Sequence, residues 1–177
     1  MPDIDIGMLD GVKLKDCDRY SNIYDINLLN PSSRIKKLKG GVGGTYDGFI
    51  IVDERFKQFC EIERYLNLEF MPILNSIGFY WFKVYNIVVY DAEARGTRFL
   101  NYHTDYKGYE EIIGANPVYL KSKEPLADSF YRTDICFGSY AGKMPLYLVG
   151  CETKEKLEAN GFGEINFEEI LDEYESN

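Results

Sequence analysis

The twelve residues from Phe79 to Tyr90 set the strongest limit on the fold. They read Phe-Tyr-Trp-Phe-Lys-Val-Tyr-Asn-Ile-Val-Val-Tyr. Aromatic and β-branched side chains suit an extended backbone and crowd a helical one, so the run predicts a strand. It holds so few polar positions that it reads as central, with both faces covered. A sheet must therefore be built around it. Gly48-Phe49-Ile50-Ile51-Val52 offers a second strand. Asp53 follows as an N-cap, with Glu54 favourably placed near the positive end of a helix dipole. Phe56, Phe59, Cys60 and Leu66 then recur at helical spacing with Ile62 beside them. Lys57, Gln58, Glu61 and Arg64 fall on the wet face, and the helix runs to about Leu66. Glu69-Phe70-Met71-Pro72-Ile73-Leu74 reads as extended, and Pro72 assigns it to a sheet edge or a bulge.

Beyond Tyr90, residues Asp91 to Gly96 supply a turn, and Arg98-Phe99-Leu100 pairs back as a hairpin. Short strands are expected at Val118-Tyr119-Leu120 and at Asp134-Ile135-Cys136-Phe137. Pro145 to Val149 is another strand, followed by a helix from Glu152 or Thr153 to Asn160 that Gly161 stops. Gly163 to Phe167 reads as a last strand, and the acidic tail after it as helical or open. The pattern gives an α+β fold: a mixed, mainly antiparallel sheet with two or three short helices packed on it. Residues 1–47 form a weakly patterned arm ending in a basic, glycine-rich loop, Lys36 to Gly44, and residues 48–177 form the domain proper.

Length and charge narrow the function classes. A chain of 177 residues is a one-domain length and buries enough surface to need no disulfide or metal staple. The net charge of −9 disfavours direct binding to nucleic acid or anionic membrane, and it fits a basic partner. Taken alone, that charge also does no more than keep a protein soluble. Cys17, Cys60, Cys136 and Cys151 form no Cys-x-x-Cys pair, which argues against a zinc ribbon or thioredoxin-type site. The start, Met1-Pro2-Asp3-Ile4-Asp5, lacks the basic end and apolar run of a signal peptide, so a cytoplasmic setting is expected. No run reaches the roughly 20 apolar residues of a membrane helix.

The chemistry-bearing residues are few. His103 is the sole histidine, so any Ser-His-Asp or Cys-His machinery would have to use it. No Gly-x-Ser-x-Gly elbow or other motif picks out a nucleophile beside it, and a polar residue in a tyrosine-rich loop is the simpler reading. Gly40-Gly41-Val42-Gly43-Gly44 is followed by Thr45-Tyr46-Asp47 and a strand, not by the Lys-Ser/Thr and helix of a phosphate loop. Asp3-x-Asp5 and Asp16-x-Asp18 fall short of a calcium loop. No catalytic residue, cofactor or metal is therefore expected. Two surface features remain. Tyr102, Tyr106 and Tyr109 stand in a loop with acidic neighbours, and the C-terminal run carries Glu168, Glu169, Asp172 and Glu173. Each alone suits a solvated face; together they are aromatic anchors plus a steering field.

The order of the motifs resembles a known family. Phe49-Ile50-Ile51-Val52-Asp53-Glu54-Arg55-Phe56-Lys57 is similar to the "V-V-S-E-R-F/L-K" strand–helix unit of a bacterial immunity-protein group found beside polymorphic toxins. Glu69 to Ile73 and Tyr80 to Val84 resemble its "E-F-x-P-V … Y-Y-x-x-N-V" segment, and Arg132 to Cys136 its "D-I/L-F-R" strand. Leu148 to Leu157 resembles "V-S-E-E-L-K-E-A-L", and Gly161 to Phe167 the closing "G-L-T-G-V-x-F". Asp53 stands for the family's capping Ser, an equivalent cap, while Gly150-Cys151 lacks its Ser-Glu.

The resemblance implies an immunity protein that binds a cognate toxin domain and occludes its active site without catalysis of its own; the charge argument makes a basic toxin domain the expected target. Tyr102, Tyr106, Tyr109, Glu168, Glu169, Asp172 and Glu173 are the expected contacts, and a homodimer is compatible with the sequence. The alternatives are a hydrolase or transferase centred on His103 and an adaptor or small-ligand module that uses the aromatic surface.

Overall fold

The computed structural model describes residues 35–45, 49–91, 98–101, 110–113, 118, 120–122, 124–138 and 144–170, with 98–101 and 110–113 as backbone alone. Nine strands and two α-helices lie within them: β1 Val42–Gly44, β2 Ile50–Asp53, α1 Glu54–Ile62, β3 Leu68–Pro72, β4 Phe79–Val84, β5 Ile87–Val88, β6 Arg98–Asn101, β7 Glu110–Ile113, β8 Phe130–Phe137, β9 Met144–Val149 and α2 Cys151–Leu157. The fold is α+β. An antiparallel four-stranded sheet runs β1-β2-β4-β3, a three-stranded sheet runs β5-β8-β9, and β6 pairs with β7. Only β5 and β8 are parallel among the paired strands described.

Strand alternation divides the interior in two. Tyr80, Phe82 and Val84 of β4 and Ile50 and Val52 of β2 point to one side of the four-stranded sheet. There they meet Phe56, Phe59 and Cys60 of α1, Phe130 of β8, and Leu157 and Phe162 at the end of α2. The rings meet mostly edge to face: Phe56 lies 5.4 Å from Phe82, 5.7 Å from Phe130 and 5.4 Å from Phe162. Trp81 and Ile51 point to the other side, against Ile35, Leu38 and Ile73. β4 is thus central and covered on both faces, as its composition predicts. β3 lies at the sheet edge and ends at Pro72, where a missing N–H costs no ladder bond.

The caps follow their chemistry. Asp53 Oδ1 accepts from the Phe56 amide at 3.0 Å and starts α1. α2 begins at Gly150 with no side-chain cap. A Cβ on Gly150 would sit 2.2 Å from the Ala127 carbonyl oxygen, so only glycine fits there. Gly161, at φ +87°, turns the chain after α2 and sends Phe162 into the core.

Several sequence expectations are corrected. The glycine-rich stretch is not only a loop. Gly40 and Gly41 take left-handed angles in a 3₁₀ turn, and Val42–Gly44 then pair with β2 as an edge strand. α1 ends at Ile62 because Arg64 turns left-handed at φ +60°, which leaves Leu66 in solvent instead of on the helix's apolar stripe. The Phe79–Tyr90 run breaks at Tyr85–Asn86; its second part, β5, joins the other sheet. β6 pairs forward with β7, which begins at the end of the tyrosine-rich stretch read as loop, and not back on that run. Leu120 makes an isolated antiparallel bridge to Tyr90, and the Lys121 amide donates to the Val89 carbonyl at 2.9 Å; Tyr119 lies outside the described residues. Residues 163–167 form a turn and irregular chain, not a strand, although Ile165 and Phe167 still pack on the core. Residues 1–34, including Cys17, lie outside the described residues, as do His103 and the tail from 171.

Candidate functional site

The break in the Phe79–Tyr90 run is where the two sheets are joined. Asn86 fills it. Its side-chain amide donates to Ser129 Oγ at 3.1 Å and to the Phe130 carbonyl at 2.9 Å, and its own carbonyl accepts from the Arg132 amide at 2.9 Å. The Arg132 guanidinium donates to the Val84 carbonyl at 2.9 Å, across the same joint. Asn67, also left-handed at φ +60°, donates to Asn86 Oδ1 at 2.7 Å while its carbonyl accepts from the Tyr85 amide at 2.9 Å. Asparagine tolerates that backbone region better than most residues, which makes it apt for a turn that also needs an amide.

A cleft of about 370 Å³ opens beside this joint, lined by Arg64, Leu66, Asn67, Asn86, Asp128 and Tyr131 among others. Its polar floor is a cluster around Asp128. The Tyr65 and Thr153 hydroxyls each donate to Asp128 Oδ1 at 2.8 Å, and the Lys156 ammonium donates to Oδ2. Lys156 also pairs with Glu152 at 3.1 Å and Glu63 at 3.2 Å. Burial alone would raise the Asp128 carboxyl, but hydrogen bonds from Lys156, Thr153 and Tyr65 outweigh it and hold the group below the usual carboxylate range. Tyr65 is pushed up to about 12, first by burial and then by its bond to Asp128. The Lys156 ammonium is held well above its ordinary value by its bonds to Asp128 and Glu152. The cluster therefore keeps an ionised carboxylate and a protonated lysine locked together. Such a set clamps α2 to α1 and to the start of β8; a general base would instead need a pKa near the working pH.

Two groups of side chains face solvent. The first is apolar. Ile62 and Leu66 are each 75% exposed, Tyr85 54%, Ile87 53% and Val89 48%, and at the β3–β4 turn Leu74 is 83% and Ile77 88% exposed. The second is acidic. Glu155 on α2 and Glu164, Glu168 and Glu169 after it are exposed and make no ion pair among the described residues. The Lys154 ammonium lies 5.9 Å from the Phe167 ring, which sets the start of the tail against α2.

Of the residues expected to carry binding, Glu168 and Glu169 are exposed next to Phe167, on the α2 side of the domain. Tyr102, Tyr106, Tyr109, Asp172 and Glu173 lie outside the described residues. The sequence reading missed Leu66, Tyr85 and Ile87 as surface residues. Their one signal was the amide at Asn86, a poor strand residue inside an apolar run. Among the described residues no three His, Cys, Asp or Glu side chains are grouped to hold a metal ion. None of the described helices is long and apolar enough to cross a membrane. The described residues thus define an α+β domain with exposed apolar and exposed acidic side chains and a shallow polar cleft. Comparison with protein-family models, with curated proteins and with solved structures finds no match to this chain.

Proposed function

We propose that this protein is an immunity protein: it binds a cognate bacterial toxin domain and neutralises it by covering the active site. The observation that carries the reading is the set of exposed carboxylates at Glu155, Glu164, Glu168 and Glu169, which make no ion pair among the described residues, on a chain of net charge −9. Unpaired surface charge of one sign steers an oppositely charged partner, so the target is basic, such as a nuclease domain. The motif order shared with the immunity group supports the same reading, with Tyr102, Tyr106 and Tyr109 as anchors and Asp172 and Glu173 as further charge. Neutralisation by occupancy needs no catalytic residue or cofactor in this chain.

The test is co-expression with the toxin domain encoded beside the gene, followed by binding kinetics. The chain should protect the host and bind the purified domain. The on-rate should fall by on the order of tenfold or more between low salt and about 0.5 M salt, as screening removes the steering. No protection and no complex at micromolar concentrations would end the proposal. A salt-independent on-rate would remove the acidic face from it.

A further inference from the structure

The outermost strand of a sheet carries a hazard that inner strands do not, because its unpaired N–H and C=O groups invite another extended segment. The four-stranded sheet ends at β1 and β3, and the three-stranded sheet at β5 and β9. β1 has three residues, two of them glycine, and β5 has two. Edges so short offer little to an added strand. β3 and β9 are longer, with five and six residues, and β9 reads Met-Pro-Leu-Tyr-Leu-Val without a charge. Among the described residues no strand pairs with the outer edge of either. An uncharged, apolar run of that length at a sheet edge is a template for self-association.

The hydrogen bonds fix which residues of these strands face outward. Beside β3, the Tyr85 amide donates to the Asn67 carbonyl at 2.9 Å and the Ile73 amide to the Phe79 carbonyl at 3.1 Å. The register between those two bonds is unbroken. Backbone groups of successive residues point to alternate sides of a strand. Those of Glu69 and Met71 therefore turn to β4, and those of Leu68, Phe70 and Pro72 turn away. In β9, the Leu146 amide donates to the Thr133 hydroxyl oxygen of β8 at 2.9 Å, and the Gly150 amide donates to the Ser129 carbonyl at 3.3 Å. Leu148 lies between them and faces β8 as well, so Pro145, Tyr147 and Val149 face away. The extra residues of this pair lie between Arg132 and Cys136 of β8, and the alternation along β9 is kept. Each long edge thus has three outward positions, and a proline holds one of the three.

From this we infer that Pro72 and Pro145 are edge guards, which keep β3 and β9 from accepting a strand of a second copy of this chain. A proline at an outward position lacks the N–H that an added strand needs, and its ring occupies the space that strand would enter. What remains on each edge is one pair of outward residues, Leu68 with Phe70 or Tyr147 with Val149, about 7 Å apart at strand rise. Mere tolerance would also place a proline on the outward side, since an inward one would break a ladder bond. Tolerance differs from guarding in its consequence: removing a tolerated proline does not promote association. The inference concerns contact between copies and does not depend on the toxin-binding proposal.

Sedimentation velocity on the full chain across micromolar concentrations tests it, together with amide hydrogen exchange. Pro72→Val and Pro145→Val should each raise the self-association constant by at least about tenfold over the wild type. Pro145→Ala restores the N–H with the least change in bulk, and serves if valine disturbs the fold; an unchanged thermal midpoint at low concentration shows that the fold is kept. In the wild type the amides of Leu68, Phe70, Tyr147 and Val149 should exchange faster than those of Glu69, Met71 and Leu148. In the variants the outward amides should gain protection as concentration rises. Folded variants that associate no more than the wild type, or outward amides as protected in the wild type as the inward ones, would overturn the inference.

Discussion

Phe56→Ala probes the assembly of the whole domain, because Phe56 touches every layer of the larger core. The side chain is buried and faces Phe82 of the four-stranded sheet, Phe130 of the three-stranded sheet, Phe162 after α2 and Phe59 on its own helix. Removing a buried phenyl ring costs about 3–5 kcal/mol through lost transfer energy and the cavity left behind. Rings in favourable edge-to-face contact contribute beyond their buried area, which places this site in the upper half of that range, about 4 kcal/mol. At this chain length each kcal/mol lowers the thermal midpoint by about 2–4 °C, so the midpoint should fall by about 8–16 °C. Urea unfolding should be followed by far-ultraviolet circular dichroism and by Trp81 fluorescence. Trp81 is the sole tryptophan and lies in the smaller core, on the opposite side of the same sheet. The two probes should report one transition in wild type and variant alike, since β2 and β4 serve both cores. A loss below about 1.5 kcal/mol would refute the packing argument, because it falls well short of the cost of emptying a buried ring site. Separate transitions for the two probes would refute the coupling of the cores.

Two further changes test other joints. Gly150→Ala places a Cβ against the Ala127 and Leu126 carbonyl oxygens, and alanine is also a poorer N-cap than glycine, so the change should destabilise the protein by about 1–3 kcal/mol in denaturant melts. Asp128 is ionised more readily folded than unfolded, so its contribution is present above about pH 4 and is lost as the pH falls through the lower folded value. Asp128→Asn should therefore flatten the acid side of the stability–pH profile below about pH 4 and lower stability at neutral pH; an unaltered acid limb would show that the Tyr65–Thr153–Lys156 cluster does not hold an ionised Asp128.

Much of the fold was legible because local chemistry and tertiary need agree at particular residues. Asp53 caps the helix that its position predicts, Phe56, Phe59 and Cys60 are buried together, and Pro72 closes an edge strand. The misreadings arise where one residue overrides a pattern. Arg64 leaves helical angles without any glycine to announce it, and that single turn moves Leu66 from core to surface. Asn86 splits an apolar run because its amide is needed by Ser129 and Phe130, residues 43 and 44 positions away, a demand that no local window contains. Glycines 40–44 look like a free loop, yet β2 offers an edge that Val42–Gly44 can satisfy with backbone alone. The exposed carboxylates were legible through Glu168 and Glu169, whereas the exposure of Tyr85 and Ile87 was not, because a strand's exposed face and its buried face are written in the same alphabet once a second sheet is unforeseen.

The parallel pairing of β5 with β8 has a consequence for how the molecule is made. Ile87 aligns with Arg132 only after a long excursion of chain, whereas β3 and β4 meet across a tight turn. Closing the longer loop carries the larger entropic cost, and non-local pairing of this kind slows folding. On a ribosome, the segment through β4 can settle its own ladder while β8 is still unsynthesised, and Asn86 must wait with its amide in water. The second sheet, and the surface it creates beside Tyr85, is therefore built after the four-stranded one.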